Sequence, residues 1–141
     1  MASVSLADAD KIIDATIEKG VDMGLAPLSV AVLDVGGNLV AFKKSDGSSL
    51  LRFEIALGKA WSALAMFTSS KQLGDVWQER PQFVTALMNA SGGRIVPVPG
   101  GVLLRNADGG IIGAVGVTGD TSDNDEIAGR HGIEAAGLRV E

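Results

Sequence analysis

The chain opens with apolar positions three and four residues apart, which is the spacing of one face of a helix. Ser5 and Asp8 stand three residues apart, as in a capping box. The pattern predicts an amphipathic helix over about residues 6–23. Its apolar face is formed by Ala9, Ile12, Ile13, Thr16 and Ile17.

Two short runs rich in β-branched residues follow, at 28–33 and 39–43. The turn residues Gly36, Gly37 and Asn38 separate them. Apolar runs joined by such a turn predict a β-hairpin, with Asp34 at the end of its first strand.

A second helix is predicted from Ser48 or Ser49, as its cap, to about residue 67. It is apolar nearly all round, which implies burial in a core or at a subunit interface. Arg52, Lys59 and Ser62 are spaced so that they share one stripe, and Trp61 points to the opposite side.

The rest of the chain predicts short helices at 71–77 and 81–89, a strand-like pair at 95–96, strands at 102–104 and 111–117, and a last helix. Thr121, Ser122 and Asp123 are the candidate caps of that helix. Runs of strands without alternating strand–helix units indicate an antiparallel sheet of about five strands flanked by helices.

Length and composition favour one globular domain over residues 1–141 and exclude several partners. The net charge is −5 and no basic stripe is present, so nucleic acid is not an expected partner. The chain has no cysteine, which excludes disulfides and thiolate metal sites. It shows no leader pattern and no apolar run long enough to span a bilayer, so we expect a cytoplasmic protein that does not enter a membrane.

Four segments, taken together and in order, resemble the GlcG/HbpS family, also called the haem-degrading or PduO C-terminal-like domain. No one of them is decisive alone, but the resemblance covers nearly the whole chain. They are Leu33-Asp34-Val35-Gly36-Gly37-Asn38-Leu39, Gly58-Lys59-Ala60-Trp61-Ser62-Ala63, the stretch from Gly92-Gly93-Arg94 to Gly100-Gly101-Val102, and Gly113 to Gly119 running on to Asp125-Glu126.

The resemblance implies a profilin-like α+β fold, with a five-stranded antiparallel sheet and helices on both faces. It also implies a homo-oligomer, from dimer to octamer. Several family members bind haem, and others are linked to corrinoid or glycolate operons. Fold transfers across such a family better than function does.

Lys59 and Arg94 are the first candidate ligand-binding residues, with Gly100 and Gly101 beside them. A lysine on an apolar helix needs water, a carboxylate or an anionic ligand, and Arg94 after two glycines offers a planar fork suited to a carboxylate. Together they are suited to hold an organic acid or a haem propionate. The alternative is structural: Lys59 pairs with Asp125 or Asp34, and Arg94 joins the same network.

Thr118 and Asp125 are the next candidates. A hydroxyl beside Gly119, followed by a helix start, is a plausible anion pocket, and Asp125 is placed to act as a base. The alternative is that the polar residues here only cap the last helix. The glycines at 113, 116 and 119 do not form a dinucleotide-binding fingerprint.

His131 is the only histidine, and we expect it on or beside the packed stripe of the last helix. With no second histidine and no cysteine, a protein-only zinc site is unsupported and no metal site is predicted. The family resemblance implies a histidine or hydroxyl ligand for haem, which makes Thr118 and His131 the weak candidates, with Met23, Met66 or Met88 as thioethers. The turn position often held by histidine in the family is Asn38 here.

The sequence therefore favours an oligomeric ligand-binding protein that holds haem or a small anionic organic molecule. One alternative is a lyase, isomerase or decarboxylase, with Lys59 and Arg94 on the substrate carboxylate and Asp125 or Asp34 moving a proton. Another is a non-catalytic accessory subunit. Whether the chain is an enzyme stays open at this point.

Overall fold

The computed structural model describes residues 2–140, and it confirms an α+β fold with an antiparallel sheet. Within these residues no helix is long and apolar enough to cross a membrane. In chain order the elements are α1 (Leu6–Asp22), β1 (Ser29–Asp34), β2 (Leu39–Lys44), α2 (Arg52–Met66), α3 (Ser70–Glu79), α4 (Pro81–Ala90), β3 (Gly101–Arg105), β4 (Ile111–Thr118) and α5 (Ser122–Ala135).

The described part of the chain forms one sheet of four strands, in the order β2-β1-β4-β3. Every neighbouring pair is antiparallel, with Val30 opposite Val117 and Leu103 opposite Ala114. The expectation of five strands was therefore wrong by one. The missing strand is the segment at 95–96, which lies in a loop.

Two local features keep residues 95–96 out of the sheet. The Val96 N–H donates to the Ser62 hydroxyl at 2.8 Å, so it is not available to a strand. Pro97 and Pro99 have no N–H to donate, and the Val98 N–H turns back to the Val96 carbonyl at 3.0 Å. A ladder needs alternate N–H groups facing one neighbour, and this segment does not offer them.

The sheet separates two apolar cores, because successive side chains of a strand point to opposite faces. Val30, Val32 and Val115 pack on one face against α1 and α5. Leu33, Leu103 and Ala114 pack on the other face against α2. Helices therefore cover both faces of the sheet, as expected.

The predicted caps are confirmed at α1 and α5 and wrong at α2. Ser5 Oγ accepts from the Asp8 N–H at 3.1 Å, and Thr121 caps α5. Helix α2 begins at Arg52 with no side-chain cap. Ser49 does not cap it, because its hydroxyl accepts from Arg52 Nε at 3.1 Å.

Helix α2 crosses β4 closely where the strand has no side chain. A Cβ on Gly116 would overlap the Ala56 carbonyl of α2. This contact places Lys59, about one turn further along α2, against the end of β4. Thr118 and Asp125 also lie there.

Candidate functional site

Lys59 and Asp125 form a buried ion pair at the end of β4. Their side chains are 2% and 1% exposed, and Lys59 Nζ lies 3.3 Å from Asp125 Oδ2. The same ammonium donates to the Val117 carbonyl at 2.8 Å. Asp125 Oδ1 accepts from the Asp120 N–H at 2.9 Å. The pair thus ties α2, β4 and the first turn of α5 together.

The loop before β3 closes over this lysine. A Cβ on Gly100, whose φ is +126°, would lie 2.9 Å from Lys59 Nζ and 2.5 Å from the Val117 carbonyl oxygen. A Cβ on Gly101 would overlap the Lys59 carbonyl, and the Gly101 N–H donates to Ser70 Oγ at 2.7 Å. Both glycines are required for the backbone to pack against the lysine, because a side chain at either position would overlap it. The loop can therefore enclose the ion pair.

Burial perturbs both members of the pair. It lowers the pKa of Lys59, although the Asp125 carboxylate acts in the opposite direction. It raises the pKa of Asp125, although the Asp120 N–H and Lys59 oppose the change. Desolvation disfavours each charge, and the mutual attraction offsets that cost.

Arg52 and Ser62 share the stripe of Lys59, as their spacing predicted. Arg52 Nη1 donates to Thr118 Oγ1 at 2.7 Å. Ser62 Oγ accepts a hydrogen bond from the Val96 N–H at 2.8 Å. Thr118 is 1% exposed. Its hydroxyl is therefore engaged and enclosed, like the pair itself.

The structure does not bring Asp34 or Arg94 to this pair. Asp34 Oδ1 accepts from the Gly36 and Asn38 N–H groups at 3.0 and 2.9 Å, which closes the β1–β2 turn. Arg94 is exposed, and its guanidinium lies 4.2 Å from the Trp61 ring centroid. Lys59 pairs with Asp125 rather than Asp34, and Arg94 is not part of that network.

His131 was expected on or beside the packed stripe of α5; it is exposed, so it lies beside the stripe and not on it. Helix α5 buries Ala128, Gly129, Gly132 and Ile133. Gly132 sits so close to α1 that a Cβ there would overlap the Thr16 hydroxyl. This packing turns His131 outward. Within residues 2–140, no group of three or more histidine and carboxylate side chains is placed to hold a metal ion.

Open space lies beside the pair, in a groove between α3, the loop at 97–99 and the start of α5. We name it the α3 groove. It has an apolar part of about 530 Å³ and a polar part of about 520 Å³, and Lys71 and Asp75 line both. The apolar part includes Trp77, Met88, Pro97 and Pro99, and the polar part includes Gln72, Glu126 and Arg130.

The α3 groove combines apolar walls with charged side chains of both signs, which line both of its parts. Arg130 Nε lies 3.3 Å from Glu126 Oε2. Glu126 Oε1 is buried and has no hydrogen-bond partner among the described residues. A groove with apolar walls and a few charged side chains suits a molecule with a large apolar body and polar substituents.

Sequence reasoning missed the α3 groove. Met88 was one of three methionines named as thioether candidates for haem, but no sequence pattern connected it with Trp77 or Lys71. The available signals were the rigid Pro97-Val98-Pro99 segment and Gly74. A Cβ on Gly74 would lie 2.7 Å from the Pro97 carbonyl oxygen, so α3 and this loop can approach only because position 74 is glycine.

Comparison with known proteins identifies the family. A family model described as haem-degrading protein HbpS-like matches residues 4–134. The chain belongs to this family. The resemblance noted in the sequence is thereby confirmed.

Two curated relatives share moderate identity with this HbpS-like chain. It is 30% identical over 127 residues to an uncharacterized 15.0 kDa protein in the dhaT-dhaS intergenic region of Citrobacter freundii, covering 90% of this chain and 87% of the relative. It is 28% identical over 123 residues to the corrinoid adenosyltransferase PduO of Salmonella typhimurium, covering 87% of this chain. The match spans only 36% of that second protein.

Solved structures give the same fold. A complex of PduOC with heme superposes with a TM-score of 0.89 at 26% identity and covers 99% of both chains. Klebsiella pneumoniae ORFY superposes at 0.88 and 25% identity, covering 97% of this HbpS-like chain and 92% of its own. HbpS superposes at 0.81 and 25% identity, covering 95% and 90%.

Proposed function

We propose that this HbpS-like chain binds haem in the α3 groove. The observation that carries the proposal is the groove itself, in which apolar walls meet the Met88 thioether and charged side chains of both signs. The cations are Lys71 and Arg130, and the carboxylates are Asp75, Asp123 and Glu126. Family membership and the haem complex of a related structure support the choice of ligand. When bound, haem supplies an iron centre whose reactivity depends on its protein ligand and surroundings.

The residues of the α3 groove fit the chemistry of haem. Trp77 and Pro97 offer apolar surface for the macrocycle, and Met88 offers a soft sulfur ligand of a kind that haem iron accepts. Lys71 forms no ion pair within residues 2–140 and is a cation suited to a propionate, whereas Arg130 is already paired with Glu126 at 3.3 Å.

The Lys59–Asp125 pair has a supporting role in this proposal. Its charged groups have protein partners and are enclosed, so they do not offer a ligand a free donor or acceptor. The pair instead fixes the start of α5 and the loop before β3, which wall the groove. The same enclosure of Asp125, and the use of Asp34 in a turn, leave the lyase alternative without a specific supporting observation.

Hemin titration followed at the Soret band tests the proposal. We expect saturation at one haem per chain, and at least about tenfold weaker binding in Met88→Leu and Lys71→Gln. Met66→Leu and Lys11→Gln are matched controls, because neither residue lines the groove. A linear, non-saturating response of the parent would contradict haem binding. Saturable binding that is equal in all variants would contradict the groove as its place.

We also propose that the chain forms a homo-oligomer. Leu50, Leu51 and Phe67 are 96%, 60% and 71% exposed, and they flank the two ends of α2. Large apolar side chains left in water favour association. Light scattering of the purified protein should give the mass of a dimer or a larger assembly, up to an octamer. A monomer at tens of micromolar would contradict this.

A further inference from the structure

A second cleft lies on α2, away from the α3 groove. It encloses about 350 Å³ between α2, the β1–β2 turn and the loop after α4. Leu57 and Trp61 supply its apolar lining, and Arg94 supplies a cation. No residue lines both this cleft and the α3 groove among those that form them in the described chain.

Arg94 is held in position without being neutralised. Its guanidinium stacks on Trp61 at 4.2 Å, and its Nε donates to the Ser91 carbonyl at 2.9 Å. These two contacts orient the plane of the guanidinium. No carboxylate of residues 2–140 forms an ion pair with it, so the terminal nitrogens remain available for a planar acceptor.

Gly37 and Gly93 line the cleft beside the Trp61 ring. A Cβ on Gly37, whose φ is +82°, would lie 3.7 Å from Trp61 Nε1, and a Cβ on Gly93, whose φ is +83°, would meet nothing within 4 Å. The Trp61 indole N–H has no acceptor among the described side chains and backbone groups. A ligand in the cleft thus contacts an aromatic ring, an oriented guanidinium and the unpaired indole N–H of Trp61.

We propose that this cleft binds a small organic acid with an apolar body and one carboxylate. The carboxylate pairs with Arg94, and the apolar body packs on Leu57 and Trp61. Glu54 also lines the cleft and makes no ion pair with Arg94, so it opposes a second negative charge on the ligand. The site is separate from the proposed haem site and does not depend on it.

Titration calorimetry of the full chain tests this site with benzoate, phenylacetate and hexanoate as probes. We expect at least one to bind saturably, and its uncharged amide to bind at least about tenfold more weakly. Arg94→Gln should lose the binding, and Glu54→Gln should strengthen it. Arg80→Gln is the matched control, because Arg80 stacks on Phe83 at 4.5 Å outside the cleft.

Two results would overturn the proposal: no saturable binding of any of the three acids to the parent, or equal binding by the parent and Arg94→Gln. Circular dichroism of each variant establishes that it is folded. Arg94→Lys keeps the positive charge but loses the planar guanidinium, so we expect its affinity to lie between those of the parent and Arg94→Gln. Hemin titration of Arg94→Gln should match the parent, which separates this site from the α3 groove.

Discussion

Removing the ammonium of Lys59 while keeping an unbranched side chain should strongly destabilise the fold. Lys59→Met leaves the Asp125 carboxylate enclosed with no cation, and it leaves the Val117 carbonyl without this donor. Breaking a buried ion pair from one side costs about 3–5 kcal/mol. Solvent does not screen the loss, because the lysine side chain is only 2% exposed.

For a domain of this size, that loss corresponds to a fall in melting temperature of about 10–20 °C. A second substitution, Asp125→Asn, removes the negative charge that has lost its partner. It keeps an oxygen that can accept from the Asp120 N–H. We expect Lys59→Met with Asp125→Asn to recover at least about 2 kcal/mol of the free energy of unfolding. The exposed Lys44 provides the control, and Lys44→Met should change stability by less than about 0.5 kcal/mol.

The deficit of Lys59→Met should depend on pH. Burial already raises the pKa of Asp125 above its ordinary value of 3.8, and losing Lys59 removes an interaction that lowers this pKa. A raised carboxyl pKa gives stability that is full below 3.8 and lost as pH rises through the folded-state pKa. The deficit should therefore grow from acid to neutral pH.

Urea unfolding followed by circular dichroism, at about pH 5 and about pH 7, measures all of these quantities. A deficit of Lys59→Met below about 1 kcal/mol at neutral pH would refute the reasoning. So would a double variant no more stable than Lys59→Met alone.

Three further predictions use the same unfolding assay. Ser62→Ala should cost about 1–3 kcal/mol, because the Val96 N–H loses its acceptor; a change below about 0.5 kcal/mol would contradict that role. Gly100→Ala should destabilise the chain by more than about 1 kcal/mol, since its Cβ would lie 2.9 Å from Lys59 Nζ at a positive φ, and unchanged stability would mean that the loop does not seal the lysine. His131→Ala should leave both stability and the hemin titration unchanged, and loss of the Soret change would make this exposed histidine a ligand.

The elements with local signals could be predicted from the sequence. Helix α1 and the β1–β2 hairpin follow from periodicity and turn residues, and the stripe of Arg52, Lys59 and Ser62 follows from helical spacing. The Lys59–Asp125 pair was one of the alternatives, because a lysine on an apolar helix needs a partner. The cost of burying an unpaired charge was therefore enough to place Asp125 among the expected partners of Lys59.

The features that were missed depend on contacts between distant segments. The extra strand was predicted because Ile95 and Val96 are β-formers, but Ser62, more than thirty residues earlier, takes the N–H that a strand would need. The direction of Arg94 depends on the ring of Trp61, which no local pattern reveals. The α3 groove exists only where α3 and α5 meet the loop at 97–99.

The central claim, haem binding in the α3 groove, is tested most directly by mapping amide shifts by NMR on the full chain with gallium protoporphyrin IX, a diamagnetic analogue of hemin. The account predicts that the largest shifts at saturation fall on α3, on residues 97–99 and on the first turns of α5. The signals of Gly93 and Arg94 should move little. Largest shifts in the Trp61–Arg94 cleft, or no saturable shifts at all, would contradict the claim.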